Sequence, residues 1–109
     1  MYEKIDFILE MIENIEKIIK RHGGVVKALE DFEGQMAIFM GISQIGEVLN
    51  KFPEDFIQKY NLTEEKIGAY YTRNYIVHDY EGVDLIIVEK ILRNNIPLLK
   101  EKLLKAKND

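Results

Sequence analysis

The chain has no cysteine and no tryptophan, and only two prolines and two histidines among its 109 residues. Without cysteine it can form neither disulfides nor thiolate metal sites, a composition consistent with a reducing cytosol. No apolar run approaches the roughly 18 residues that a membrane-spanning helix needs. The N-terminal residues are not typical of a signal peptide. We therefore expect a cytoplasmic protein with no membrane partner.

An excess of positive charge is also missing. The chain has fifteen Lys and Arg residues and nineteen Asp and Glu residues, which gives a net charge of -4. Non-specific nucleic-acid binding usually depends on a basic patch that releases counterions from the phosphates. The composition therefore argues against a DNA partner, and any RNA contact has to be local. The apolar fraction of 47% and the chain length predict one globular domain over residues 1–109.

Helical periodicity dominates the first half of the chain. Apolar residues at helical spacing predict a first helix over about Tyr2–Arg21, which His22 and two glycines end. A second apolar segment runs from about Val26 to Asn50. Three glycines interrupt this segment and indicate close approach of a neighbouring helix or a break near the first of them; they are Gly34, Gly41 and Gly46.

The second half predicts a short helical turn after Pro53 and then two further helices. A third helix over about Glu64–Asp79 would be capped by Asn61 or Thr63, and Gly82 would end it. Asp84 would cap a fourth helix, in which Pro97 predicts a kink near Asn94 and Asn95. Strand signals are weak. The sequence therefore predicts an all-α, antiparallel up-and-down bundle of four to five helices.

The stretch from Tyr70 to Asp84 concentrates the chemistry of the chain. It contains Arg73, Asn74 and His78. Arg73 and His78 are five residues apart, so about 140° separates them around a helix axis. They converge only if the helix end unwinds or if a second chain supplies the other half. Asn74 and His78 share a face, where Asn74 would orient the imidazole.

These residue types suffice for cleavage of RNA without a metal. A histidine can deprotonate a ribose 2′-OH, which attacks the adjacent phosphorus, and an arginine stabilises the charge that develops on the phosphate. The products would be a 2′,3′-cyclic phosphate and a 5′-OH. The alternative is that Arg73 and His78 are ordinary surface or packing residues. The sequence contains no motif for a metal site or for a serine nucleophile. His22 is predicted to be a solvated residue at a helix end, and no cofactor is expected.

The segment from Arg73 to Tyr80, Arg-Asn-Tyr-Ile-Val-His-Asp-Tyr, resembles the Arg-x4-His-x-Tyr signature of HepT-like toxins in the HEPN superfamily of helical ribonucleases. Ile45-Gly46-Glu47 resembles the helix that precedes the motif. The segments 81–84 and 95–99 resemble those that follow it, so the similarity covers nearly the whole chain. A tryptophan that often precedes the motif is replaced by Lys66.

The resemblance implies an HEPN-like bundle that forms a homodimer, with two copies of the motif at a shared cleft. Arg73 and His78 would be catalytic, with support from Asn74. Tyr80 would be the residue to which a minimal nucleotidyltransferase antitoxin transfers AMP from ATP. The expected protein is thus a metal-independent endoribonuclease toxin of a type II-like toxin–antitoxin pair. The alternatives are a non-catalytic helical module that binds such a nucleotidyltransferase, and a structural dimer in which the motif is incidental.

Overall fold

The computed structural model describes all residues from Met1 to Asp109 and contains helices but no strands, which confirms the all-α prediction. A 3₁₀ turn, Tyr80–Gly82, separates the fifth and sixth helices, and a π-helical turn, Ile91–Asn95, joins the sixth to the seventh. The α-helices are α1 (Tyr2–Arg21), α2 (Val25–Glu30), α3 (Phe32–Leu49), α4 (Glu54–Lys59), α5 (Thr63–His78), α6 (Leu85–Lys90) and α7 (Ile96–Lys107).

The core is built from aliphatic stripes at helical spacing. In α1, the side chains of Ile5, Ile8, Ile12 and Ile15 are almost completely buried. They belong to a cluster of buried residues to which α3, α5 and α7 also contribute. Burying an isoleucine side chain stabilises a fold by about 1.5–3 kcal/mol, so this stripe determines which face of α1 is inward. No helix combines the length and apolar character needed to cross a membrane.

The second segment is two helices, and the expected break lies at Asp31, three residues before Gly34. Asp31 has an extended backbone, and its carboxylate accepts a hydrogen bond of 2.9 Å from the Gly34 amide, which caps α3. A Cβ at Gly34 would overlap the carbonyl group of Ala28. At Gly41 a Cβ would lie 2.9 Å from the side chain of Ile15 in α1. Gly34 therefore lies beside the predicted break, and Gly41 allows the predicted close contact with a neighbouring helix.

The prediction for the start of α5 was wrong. Neither Asn61 nor Thr63 caps the helix; the N-cap residue is Leu62, which has no capping side chain. The reason is that Asn61 adopts a left-handed conformation, with φ of 55°, in the turn after α4. This turn buries Leu62 completely, and its carbonyl oxygen accepts the bond from the Lys66 amide.

The ends of the last two predicted helices are partly as expected. Helix α5 ends at His78 rather than at Gly82, since the 3₁₀ turn intervenes. Asp84 caps α6 as predicted, accepting a 2.9 Å bond from the Ile86 amide. The π turn coincides with the distortion predicted near Asn94 and Asn95, and Pro97 lies in the first turn of α7. A wide turn at this point accommodates a proline, whose ring would clash with the carbonyl group four residues earlier.

Candidate active site

A close contact between α3 and α5 at Gly46 positions the candidate site. A Cβ at Gly46 would lie 2.5 Å from the carbonyl oxygen of Ala69 and 2.8 Å from Cβ of Arg73. Only glycine therefore allows the two helices to approach this closely. The contact brings the α3 residue that follows Gly46, Glu47, beside the α5 residue Arg73.

Three contacts hold the Arg73 side chain, which is 29% exposed. Its Nε lies 3.3 Å from Oε2 of Glu47, and its Nη1 donates a 2.8 Å hydrogen bond to Oδ1 of Asn74. The guanidinium carbon lies 5.8 Å from the centroid of the Tyr70 ring, within cation–π range. These contacts fix the orientation of the guanidinium group while leaving part of it accessible to an anion.

Arg73 lines an open groove of about 480 Å³ between α3 and α5. Glu47 and Tyr80 line the same groove. Its rim includes three apolar side chains that are about half exposed, namely Met36, Met40 and Val77. The groove therefore combines a cation and a phenol with an apolar surface that no part of this chain covers.

His78 does not line this groove. It is the last residue of α5, and its side chain is exposed. The helix stays regular from Thr63 to His78, so the 140° separation from Arg73 remains. The predicted contact between Asn74 and the imidazole of His78 is not formed. The Asn74 oxygen accepts a hydrogen bond from Arg73 instead. In one chain Arg73 and Tyr80 line the same groove and Asn74 is bonded to Arg73, whereas His78 lies outside the groove.

Tyr80 begins the 3₁₀ turn that follows α5. Its ring packs edge-on against Phe39 of α3, with 5.3 Å between centroids, yet 42% of the residue stays exposed. The turn is tied back to α5 by Tyr75, whose hydroxyl oxygen accepts a 2.7 Å bond from the Asp84 amide. The Tyr80 side chain is therefore both positioned by packing and accessible from the groove.

His22 is not the solvated histidine that the sequence suggested. Its Nδ1 lies 2.8 Å from the carbonyl oxygen of Ile18, and its Nε2 lies 3.1 Å from Oδ2 of Asp31. The side chain is only 19% exposed. The Gly34 amide and, to a smaller extent, His22 hold the pKa of Asp31 below its ordinary value of 3.8. This pair connects α1 to the N-terminus of α3 and lies outside the groove.

Metal-ligating side chains are not clustered in this structure. No group of three or more His, Asp or Glu residues lies close enough together to hold a metal ion. The polar residues that line the groove are Ser43, Gln44, Glu47, Arg73 and Tyr80, and the Asn74 oxygen is bonded to Arg73.

A helical bundle that carries an Arg-x4-His motif at the end of one helix is HEPN-like. The chain belongs to the ribonuclease HepT-like family, whose model matches residues 8–106. No solved structure matches the chain significantly.

Three proteins of Methanocaldococcus jannaschii are similar to this chain. The one named Putative RNase MJ0127 is 31% identical over 93 residues, which cover 84% of this chain and 76% of that protein. The one named Gamma-glutamylcyclotransferase and putative RNase MJ0434 is 35% identical over 105 residues, which cover 93% of this chain but 45% of that protein. A third, named Putative RNase MJ1380, is 31% identical over 68 residues, 61% of this chain.

Two residues of the site were not assigned a role from the sequence. Glu47 appears in the sequence only within a string that resembles the family, and Tyr75 only within the segment from Arg73 to Tyr80. Glu47 lies twenty-six positions from Arg73, so periodicity alone cannot pair them. A signal did exist, because Glu47 directly follows a glycine that interrupts an apolar helix, and such glycines mark close helix contacts.

Proposed function

We propose that this chain is an endoribonuclease that cleaves RNA without a metal ion, through attack of a ribose 2′-OH on the adjacent phosphorus. His78 takes the 2′-OH proton, the new O–P bond forms, and the bond to the 5′ oxygen breaks. The leaving oxygen takes up a proton and becomes a 5′-OH, and the other fragment ends in a 2′,3′-cyclic phosphate. Arg73 stabilises the additional negative charge on the phosphate oxygens, and Asn74 holds Arg73 in place.

The observation that carries this proposal is the accessible, pre-oriented guanidinium group of Arg73 in a chain of the ribonuclease HepT-like family. A guanidinium held by three neighbours loses little freedom when it binds a phosphate, which favours charge stabilisation in the transition state. The names of the three similar proteins, each of which includes RNase, support the same reaction.

The working form in this proposal is a homodimer. Met36, Met40 and Val77 line the same groove as Arg73 and are 47%, 61% and 51% exposed, an apolar rim that a second copy would cover. Arg73 and His78 diverge on one helix, and a second chain would bring the His78 of one copy to the Arg73 of the other. The dimer thus explains both the uncovered rim and the divergent pair.

The dimer and the reaction are tested together by mixing two inactive variants. Arg73→Ala and His78→Ala should each reduce cleavage of a single-stranded RNA by at least about 100-fold, which is typical of losing a general base or an oxyanion-stabilising group. If each site takes Arg73 from one chain and His78 from the other, mixed dimers hold one intact site. An equal mixture should then recover roughly a quarter of the wild-type rate, because half of the dimers are mixed.

Controls separate catalysis from folding. Arg93→Ala removes an exposed arginine of the π-helical turn that pairs with Glu89 of α6, and it should cleave RNA at the wild-type rate. No recovery in the mixture would disprove the shared site, although activity of the wild type would still support a ribonuclease. Wild-type cleavage that persists in both single variants would disprove the assigned roles.

We further propose that the chain is the toxin of a toxin–antitoxin pair and that a nucleotidyltransferase inactivates it by transferring AMP to Tyr80. The phenol oxygen would attack the α-phosphorus of ATP, lose its proton and displace pyrophosphate. What supports this is the exposed position of Tyr80 in the same groove as Arg73. An AMP group there places a negative charge and bulk where an RNA phosphate has to bind.

A non-catalytic module that binds the nucleotidyltransferase is the second candidate function. The observation in its favour is that Glu47 already neutralises Arg73 and that His78 is remote from both in a single chain. This candidate predicts a stable complex with the nucleotidyltransferase and no cleavage of RNA by the wild-type chain or by any mixture of variants.

A further inference from the structure

Tyr71 is an unpartnered aromatic residue on the helix that carries the motif. It is 73% exposed, whereas the neighbouring Tyr70 lies beside Arg73 and Tyr75 is bonded to the loop after α5. Tyr71 takes part in none of the aromatic or cation–π pairs of the chain. The ring of Tyr71 is therefore held by no other side chain of the protein and is accessible to a ligand.

Tyr71 lies on the same face of α5 as His78. The residues Ile67, Tyr71, Asn74 and His78 follow one another at intervals of four, three and four positions and span about 60° around the axis. Ile67 is also exposed, at 53%. Seven residues separate Tyr71 from His78, which corresponds to about 10.5 Å along the helix. The ring is thus two turns away from the imidazole and faces the same solvent.

The surface beside Tyr71 is open. Side chains in a helix lean over the residues three and four positions earlier, which here are Gly68 and Ile67. A Cβ at Gly68 would have no neighbour within 4 Å. The surface at Gly68 therefore leaves room for a flat group beside the exposed ring of Tyr71.

Electrostatics favours stacking over additional phosphate contacts as a source of affinity for RNA. The chain carries a net charge of -4, and Glu47 partly neutralises Arg73. An acidic protein cannot depend on counterion release along the backbone. Aromatic rings bind single-stranded bases with about 1–3 kcal/mol per base whatever the base, because each base has a π-face.

We propose that Tyr71 is a base-stacking residue, which binds an unpaired base next to the cleaved linkage and so sets the position of the RNA along α5 relative to His78. The inference rests on the proposed ribonuclease function. It assigns to that function a single-stranded substrate, because bases within a duplex do not present their faces to a side chain. Tyr71 acts by positioning the strand and not by touching the reacting atoms.

The test measures binding of a fluorescein-labelled, single-stranded oligonucleotide of about 12 residues whose sugars are all 2′-O-methylated. It lacks the 2′-OH nucleophile, so binding is separated from cleavage. Tyr71→Ser should weaken the Kd by about 5- to 100-fold, whereas Tyr71→Phe should retain it. The slope of log Kd against log salt should stay unchanged, because no phosphate contact is removed. A duplex of the same sequence should bind Tyr71→Ser and the wild type alike.

Two further variants sharpen the result. Tyr2→Ser removes a tyrosine that is 55% exposed on α1 and should leave the Kd unchanged. Tyr71→Trp introduces the only tryptophan of the chain, and its fluorescence should be quenched when the oligonucleotide stacks on it. An oligonucleotide with abasic sugars should remove both the quenching and the difference between Tyr71→Ser and the wild type.

An unchanged Kd for Tyr71→Ser, or a changed salt slope, would overturn the inference. Light scattering gives a further check. If Tyr71→Ser converts a dimer to a monomer, a second copy covers this face and the stacking role fails. If the wild type cleaves RNA in any of these cases, the ribonuclease proposal stands and only the stacking role fails. If the wild type neither binds nor cleaves RNA, both fail.

Discussion

Glu47 of α3 and Arg73 of α5 form an ion pair of 3.3 Å beside Gly46, where the two helices pack closely against each other. The pair has two consequences for a phosphate that enters the groove. The carboxylate orients the guanidinium group, and it also competes with the phosphate for it. Because both side chains are partly exposed, at 39% and 29%, solvent screens their attraction and a phosphate can share the arginine.

Replacing Glu47 separates these two consequences. Glu47→Gln retains the shape of the side chain but removes its charge, so the groove becomes less repulsive to RNA and Arg73 is held less firmly. We expect KM to fall by about two- to fivefold and kcat to fall by up to about fivefold, since a partly exposed ion pair contributes about 0.2–1 kcal/mol. Steady-state cleavage of a labelled RNA gives both constants. Glu89→Gln, which removes the partner of Arg93, is the control, and an unchanged kcat for Glu47→Gln would refute an orienting role.

Gly46 sets the distance between the helices that carry this pair. In Gly46→Ala, the new methyl group would meet the backbone of Ala69, so α5 has to move away from α3. We expect a loss of about 1–3 kcal/mol in the free energy of unfolding, measured by urea denaturation, together with slower cleavage. Gly68→Ala is the matched control, because its methyl group meets open space. That control should be more stable than the wild type by about 0.5–1 kcal/mol, and equal stability of both variants and the wild type would disprove the packing argument.

The helices were predictable because local rules decide them. Spacing and residue type alone predict the stripe of isoleucines in α1, the cap at Asp84 and the distortion before Pro97. The start of α5 was not predictable, because burial of Leu62 overrides the capping preferences of its two polar neighbours. Local preference decides a helix end only where tertiary packing does not oppose it.

The candidate site also has one part that could be predicted from the sequence and one part that could not. Arg73, Asn74 and His78 could be selected because their types and spacing within one helix are visible in the sequence. The ion pair with Glu47 and the groove depend on how α3 packs against α5, a contact between residues far apart in the chain. The bond between Arg73 and Asn74 joins sequence neighbours, but the residue types alone did not indicate that the Asn74 oxygen accepts from the guanidinium group.

The capping carboxylate of Asp31 makes stability depend on pH. Its pKa is lowered in the folded state, so its contribution is present above its ordinary pKa of 3.8 and is lost as the pH falls through the lower folded value. Asp31→Asn keeps a capping oxygen but removes the charge. We expect the variant to have a lower Tm than the wild type at pH 6, and this difference to shrink as the pH falls below 3.8. Thermal unfolding followed by circular dichroism measures this, with the exposed neighbour Glu30→Gln as the control; a difference that does not shrink below pH 3.8 would contradict the linkage.

Modification of Tyr80 is tested by the mass of the intact protein. Tyr80 contacts Phe39 through its ring, so Tyr80→Phe keeps this packing and removes only the acceptor oxygen. Co-production with a nucleotidyltransferase partner and ATP should add about 329 Da, the mass of AMP less water, to the wild type and nothing to Tyr80→Phe. Tyr75→Phe, which retains Tyr80, should still be modified. Modified protein should no longer cleave RNA, since the phosphate of AMP lies beside Arg73. An unmodified wild type, or a gain in mass that maps to another tyrosine, would remove Tyr80 from the mechanism and leave Arg73 and His78 to be judged by RNA cleavage alone.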